Sequence, residues 1–240
     1  APADITVLGG TVAVSDAVEQ QARQYTSGTV DRLAGENRYE TAAAVVDEYV
    51  DSGVPVAYVA TGRGFADALA GGPAAIVDDG PMLLVEPNGI PIATRTTLDR
   101  LRPERLVLLG GTQAVTRAVE EELEDLTGVS VERRAGADRF GTAAAIARES
   151  FPGTESTVYM TTGLTFPDAL AGGVVAGLEG APLVTVDPRC VPDVVLTEIE
   201  RLDPDTLVVL GGQQAVSDDA AALVACSEVA EPRALSLIHI

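Results

Sequence analysis

Two residues of opposite charge recur together. Arg38 and Asp67 return as Arg139 and Asp168, each 101 positions later, and their glycine-rich surroundings return with them. Ala34-Gly35-Glu36-Asn37-Arg38-Tyr39 becomes Ala135-Gly136-Ala137-Asp138-Arg139-Phe140, and Phe65-Ala66-Asp67-Ala68-Leu69-Ala70-Gly71-Gly72 becomes Phe166-Pro167-Asp168-Ala169-Leu170-Ala171-Gly172-Gly173. Leu8-Gly9-Gly10 recurs as Leu109-Gly110-Gly111 and Leu210-Gly211-Gly212. A guanidinium presents a planar fork of donors to an oxyanion, and glycine lets a backbone turn tightly or approach a ligand closely. The chemistry on offer is recognition of a charged group. Asp67 and Asp168 fall in the first turn of a helix, where the dipole favours a carboxylate. Arg38 and Arg139 open a different helix, where the same dipole opposes a cation, so each calls for a partner. The aspartates are the nearest candidates, which predicts Arg38–Asp67 and Arg139–Asp168 contacts, within a unit or across units. The arginines then either hold loops together or also touch a ligand anion.

Catalytic signatures are thin. No G-x-G-x-x-G opens a helix after a strand, and a Walker A loop needs the lysine that this chain lacks. The single histidine, His239, sits in a terminal stretch of foreign composition, so no Ser–His or Cys–His pair and no transition-metal cluster is in view. The expectation is no catalytic residue, no resident metal and no cofactor. Tandem copies of the same loops suit avidity better than one active centre. The rival readings are a nucleotide- or sugar-binding α/β enzyme domain and a self-assembling surface-layer protein.

The formal charge is −20, and all 16 basic residues are arginine. A duplex partner calls for a basic face, so nucleic acid is excluded as a partner. No apolar run reaches the ~18 residues of a membrane helix, so membrane insertion is not expected. Such an acidic surface keeps a protein soluble, and concentrated salt screens its self-repulsion.

The elements that position these loops alternate. Thr29–Leu33 is a strand; Asn37 caps a helix carrying Tyr39, Ala42, Ala43, Val46 and Val50 at helical spacing. Val56–Ala60 is a strand buried on both faces, followed by a helix over Phe65–Val77. Met82–Val85 is a third strand, Ile92–Leu101 a helix ending before Pro103, and Leu106–Leu109 a fourth strand. A last helix carries Val115, Val119, Leu123 and Leu126 on one face and ends at Gly128. Strand–helix alternation gives an α/β fold of tandem small doubly wound, flavodoxin-like or Toprim-like units. The period divides the chain into a repeat remnant over 1–27, complete repeats over 28–128 and 129–232, and a non-native tail over 233–240 that reads like translated adapter sequence. A repeat of about 100 residues is large enough for its own core.

Cys190 and Cys226 lie in the last repeat, and the first complete repeat has Gly89 and Asp125 in their places. Paired gain or loss is what a disulfide produces. Such a bridge implies an oxidising, extracellular setting and would tie the Asp187–Cys190 loop to the final helix.

These motifs, in fixed order and repeated, make the chain resemble the cell wall binding repeat type 2 family over about residues 1–232. The carrying residues are Arg32–Ala42, Asp67–Gly71, Pro81–Leu84 and Leu109–Gly111, then Arg134–Phe140, Asp168–Gly172, Pro182–Val184 and Leu210–Gly212. The resemblance implies an extracellular module at the cell surface, usually of three repeats in a pseudo-threefold arrangement. It implies non-covalent anchoring to an anionic cell wall polysaccharide or teichoic-type polymer, with a fused effector domain outside this stretch. It also implies that an apolar motif after a proline serves attachment, matched here by Met82-Leu83-Leu84 and by Leu183-Val184, where Thr185 departs from the pattern. With Arg38, Arg139, Asp67 and Asp168, these are the candidate polymer-binding residues. A chain of −20 repels an anionic polymer, so either local arginines make the contact or divalent cations bridge carboxylates on the two sides.

Overall fold

The computed structural model describes residues 1–229, so the adapter-like tail and His239 lie outside the described residues. Strands and helices alternate throughout. The first stretch holds β1 (Ile5–Leu8), α1 (Asp16–Ala22) and β2 (Val30–Leu33). The first complete repeat continues with α2 (Arg38–Tyr49), β3 (Ala57–Thr61), α3 (Ala66–Val77), β4 (Met82–Val85), α4 (Ile92–Leu101), β5 (Leu106–Leu109) and α5 (Arg117–Thr127). The second has β6 (Val131–Arg134), α6 (Arg139–Ser150), β7 (Thr157–Thr162), α7 (Pro167–Leu178), β8 (Leu183–Val186), α8 (Asp193–Leu202), β9 (Thr206–Val209) and α9 (Asp218–Ala221).

Local chemistry accounts for the helix limits. Asn37 Oδ1 accepts from the amides of Tyr39 and Glu40, both at 3.0 Å, and Asp138 Oδ1 accepts from Gly141 at 2.8 Å. Gly128 closes α5 with φ +71°.

All strand pairs are parallel, and the main sheet has the order β4-β3-β5-β6. This is the flavodoxin-like 2-1-3-4 order. Within the described residues the following sheet is β8-β7-β9, and β1-β2 form a pair at the front. Helices cover both faces of the main sheet: α3 lies on one, and α2, α4 and α5 bury Val46, Leu98, Leu101, Val119 and Leu123 on the other.

Two features differ from the reading of self-contained units. The strand that opens each repeat does not join its own repeat's sheet. β2 lies along β1, pairing Ile5 with Val30, and β6 lies along β5, pairing Leu106 with Val131. Nor is each core closed. One cluster runs from Tyr58, Ala70 and Ala74 through Ala143 and Ile146 of α6 to Met160, Val184 and Ile199. Helix α3 is the hinge of this continuity, packed on its own sheet and against α6, α7 and β8 of the next repeat. Phe65 and Phe166 meet there, ring centroids 5.8 Å apart. Arg134 of β6 completes the joint: it is 5% exposed, lies over the Tyr58 ring and bonds the Tyr58 hydroxyl at 3.3 Å. Burial, with the hydrogen bond to Asp78, pushes the Tyr58 hydroxyl up to about 12.

The Cys190–Cys226 disulfide forms. Its far end differs from the expectation: Cys226 lies beyond α9, which is only four residues long, rather than on the final helix. The chain turns at Leu223 and runs back beside Val191 through a parallel bridge to Ala225.

Candidate functional site

In a 2-1-3-4 sheet the chain leaves its first strand in opposite directions, opening a crevice at the carboxyl ends of the two strands that flank this switch. Here those strands are β3 and β5, and the crevice is present. An open cleft of about 820 Å³ is walled by the β3–α3 loop (Arg63 to Asp67), the β5–α5 loop (Gly111 to Ala114) and the β6–α6 loop (Gly136 to Arg139). Because β6 opens the next repeat, the cleft is built by two repeats in succession.

The motif residues explain one another here. Gly110 has φ +99°, and a Cβ there would lie 2.4 Å from Asp67 Oδ2; Gly211 and Asp168 stand in the same relation at 2.7 Å. The first glycine of Leu-Gly-Gly is thus required by its backbone angle and by the carboxylate against it. The aromatic after each arginine covers another glycine: Tyr39 packs on Gly62 and Phe140 on Gly163.

The predicted Arg38–Asp67 and Arg139–Asp168 pairs do not form. Arg38 Nη1 donates to the Gly62 carbonyl at 2.5 Å, and Arg139 Nη1 to the Gly163 carbonyl at 2.8 Å. Each arginine satisfies a carbonyl just past the end of its own repeat's central strand, which no strand neighbour takes up. The electrostatic relation instead crosses the repeat boundary, where the charge of Arg139 acts on Asp67. Burial raises the Asp67 carboxyl above its ordinary range, and Arg139 offsets part of that rise.

A folded-state pKa raised above the unfolded value penalises folding once pH has risen through it, and the penalty is absent below the unfolded value. Asp67→Asn is therefore expected to raise the melting temperature at neutral pH. It should leave the melting temperature unchanged at a pH below the ordinary aspartate range, as checked by calorimetry at both pH values. Equal shifts at both would contradict a desolvation origin.

The apolar candidates lie in the sheets. Leu83 is fully buried in β4, with Met82 and Leu84 half-buried beside it. Leu183 and Val184 are buried in β8, and Thr185 Oγ1 is buried there without a hydrogen-bond partner among the described residues. None of the five lines the cleft. The cleft does gather Arg139 and Asp67, and adds Arg63, Phe65, Thr112 and Gln113. Arg63 is held by Glu86 at 2.7 Å, and this bond lowers the Glu86 carboxyl. Filtering by repetition passes over Arg63, because its counterpart is Leu164; the strand-end rule applied to the β3–α3 loop would have found it. Among the described residues no group of three or more carboxylate, histidine or cysteine side chains converges on one point, and no helix is long and apolar enough to cross a membrane.

The family model for cell wall binding domain 2 matches twice, over residues 32–120 and 133–221. The chain is 27% identical over 190 residues to the N-acetylmuramoyl-L-alanine amidase LytC of Bacillus subtilis, and 28% identical over 189 residues to the amidase enhancer of that organism. These alignments take in 79% and 78% of this chain but only 38% and 25% of those relatives. Two Clostridium difficile structures share the fold. Cwp6 has a TM-score of 0.83 at 23% identity, over 93% of this chain and 36% of its own. Cwp8 has a TM-score of 0.77 at 25% identity, over 88% and 36%. Two matched segments spanning most of the chain, each carrying the repeated motifs, make it a member of the cell wall binding domain 2 family, acting at the cell wall surface.

Proposed function

We propose that the chain is a non-catalytic module that anchors a surface or secreted protein to an anionic cell wall polymer, and that the polymer enters the cleft between successive repeats. The observation carrying this reading is the cleft itself: two guanidiniums, Arg63 and Arg139, stand at a strand-end crevice beside Phe65 and the side chains of Thr112 and Gln113. Local arginines act on a bound anion within a Debye length of about 8 Å, beyond which the net charge of the chain is largely screened. Much longer relatives, one of them an amidase, support a fused effector domain as the cargo.

The test is sedimentation with purified cell walls, with and without their anionic polymer. Stripping the polymer should abolish binding; unchanged binding would overturn the reading. Arg139→Ala should weaken wall binding about tenfold or more, the size of a lost charge-assisted hydrogen bond, whereas Arg38→Ala, outside this cleft, should not. Arginine contacts predict release by salt and not by chelators; release by chelators alone would favour divalent bridging.

We further propose a pseudo-threefold arrangement in the full-length protein. Phe166, Leu170, Val174 and Leu178 form an exposed apolar stripe on α7, between 51% and 77% exposed. A third like unit would cover it as α7 covers α3. The same stripe would serve surface-layer assembly, and self-association without any polymer would favour that second reading.

A further inference from the structure

Three strands in the molecule are equivalent by position, and two of them carry the same kind of neighbour. β2 lies along β1 and β6 along β5. Each neighbour brings an arginine back to the first glycine of Leu-Gly-Gly: Arg32 Nη1 donates to the Gly9 carbonyl at 2.6 Å, and Arg133 Nη1 to the Gly110 carbonyl at 2.8 Å. The amide of that glycine is taken up too, Gly9 donating to the Leu33 carbonyl at 2.8 Å and Gly110 to the Arg134 carbonyl at 2.9 Å.

β9 is the third equivalent. Gly211 has φ +103°, matching +103° at Gly9 and +99° at Gly110. Yet neither its amide nor its carbonyl is bonded within the described residues. Leu207–Leu210 is half-buried where its counterpart Leu106–Leu109 is fully buried. The positions one period beyond Val131 and Arg133 are Pro232 and Ala234. Alanine has no guanidinium, so Ala234 lacks the group that Arg32 and Arg133 supply, while Pro232 matches a position whose amide in β6 goes to Glu124 Oε1 rather than to β5.

An open sheet edge is a template for an added strand. We propose that the β9 edge is a docking site for the opening strand of a further repeat of this kind, a segment of the form Val-acidic-Arg-x-Ala-Gly. The two filled edges define its pose. The arginine reaches the Gly211 carbonyl; Glu19 and Glu120, which hold the arginine in the two filled edges, give way to Ala221, and Asp218 matches Asp16, the second acid beside Arg32. Each sheet is then completed by a neighbouring repeat, and sheet hydrogen bonds, rather than linkers, set how repeats follow one another.

The test is a fluorescent peptide with the sequence of residues 128–136, titrated against the full chain in high salt and followed by anisotropy. Saturable binding is expected, weakened about tenfold or more when the peptide carries Arg133→Ala or Glu132→Pro, the second removing an amide that in β6 faces β5. On the protein, Val209→Pro removes an amide that points to the open edge, since the bonds to the β7 side come from Thr206 and Leu210. That variant should keep its melting temperature and lose peptide binding. No saturable binding, equal binding of the altered peptides, or equal binding by a folded Val209→Pro chain would each overturn the proposal.

Discussion

Glu198→Ala is expected to cost about 2–3 kcal/mol in urea unfolding, the size of lost charge-assisted hydrogen bonds whose arginine partners can turn to solvent. Glu198 is fully buried between two arginines, bonded by Arg148 Nε at 3.0 Å and by Arg201 Nη2 at 2.6 Å. Arg201 carries that charge to the carbonyls of Phe151 at 2.7 Å and of Pro152 and Gly153 at 3.1 Å, tying down the chain that leaves α6. The first complete repeat performs the same task with the acid on the other helix. Asp47 occupies the position of Arg148, and Thr97 that of Glu198. Arg100, the counterpart of Arg201, bonds Asp47 at 2.8 Å and the Val50 carbonyl at 2.8 Å, while Thr97 donates to Asp47 at 3.1 Å. The carboxylate has moved between helices while the arginine stayed. Imposing the first arrangement on the second repeat, Arg148→Asp with Glu198→Thr, should therefore recover most of the stability that Glu198→Thr alone removes. A double variant no better than the single would show that the two sites are not interchangeable, and that packing rather than charge governs this joint.

That exchange also shows why the fold was legible in the sequence and the site less so. Helix and strand limits follow from short-range chemistry, such as the Asn37 cap or Pro103 after α4, and they were readable residue by residue. The single 101-residue spacing exposed the tandem α/β units and the paired cysteines. Repetition, however, preserves whatever builds a repeat, so it marked Arg38, Asp67, Arg139 and Asp168 without saying what each touches. The arginines turned to strand-end carbonyls, a choice governed by where β3 and β7 end in space. Arg63 was invisible for the opposite reason, being present in one repeat only. The crossing of β2 and β6 into the preceding sheet was hidden too, because a strand's sequence states its burial and not its neighbour.

Reducing the Cys190–Cys226 bridge, or replacing both cysteines by alanine, is expected to cost about 4 kcal/mol if the effect is that of closing a 36-residue loop. The first complete repeat shows what the bridge replaces. There α5 runs eleven residues and fixes itself by burying Val119 and Leu123 against the sheet. In the second repeat α9 stops after four residues, and Ala220 is its only buried side chain. The segment beyond it is held by main-chain bonds, Val191 to the Val224 carbonyl at 2.9 Å and Cys226 to the Val191 carbonyl at 2.9 Å, with the disulfide alongside. Both ends of α9 approach the β8–α8 loop, since the Ser217 amide donates to the Pro188 carbonyl at 2.8 Å. The covalent link thus stands in for a helix face. Two consequences separate this from a purely global effect. Hydrogen exchange after reduction should quicken first over residues 217–229 and the Asp187–Val191 loop, with β7 and the β3–β5 core retaining protection. Lengthening the helix instead should lessen the dependence on the bridge: transplanting residues 117–127 in place of 218–228, in the cysteine-free background, should recover part of the lost stability. Uniform loss of protection across both repeats on reduction would show that the bridge braces the continuous core that runs through α3 and α6, and not the end of one repeat.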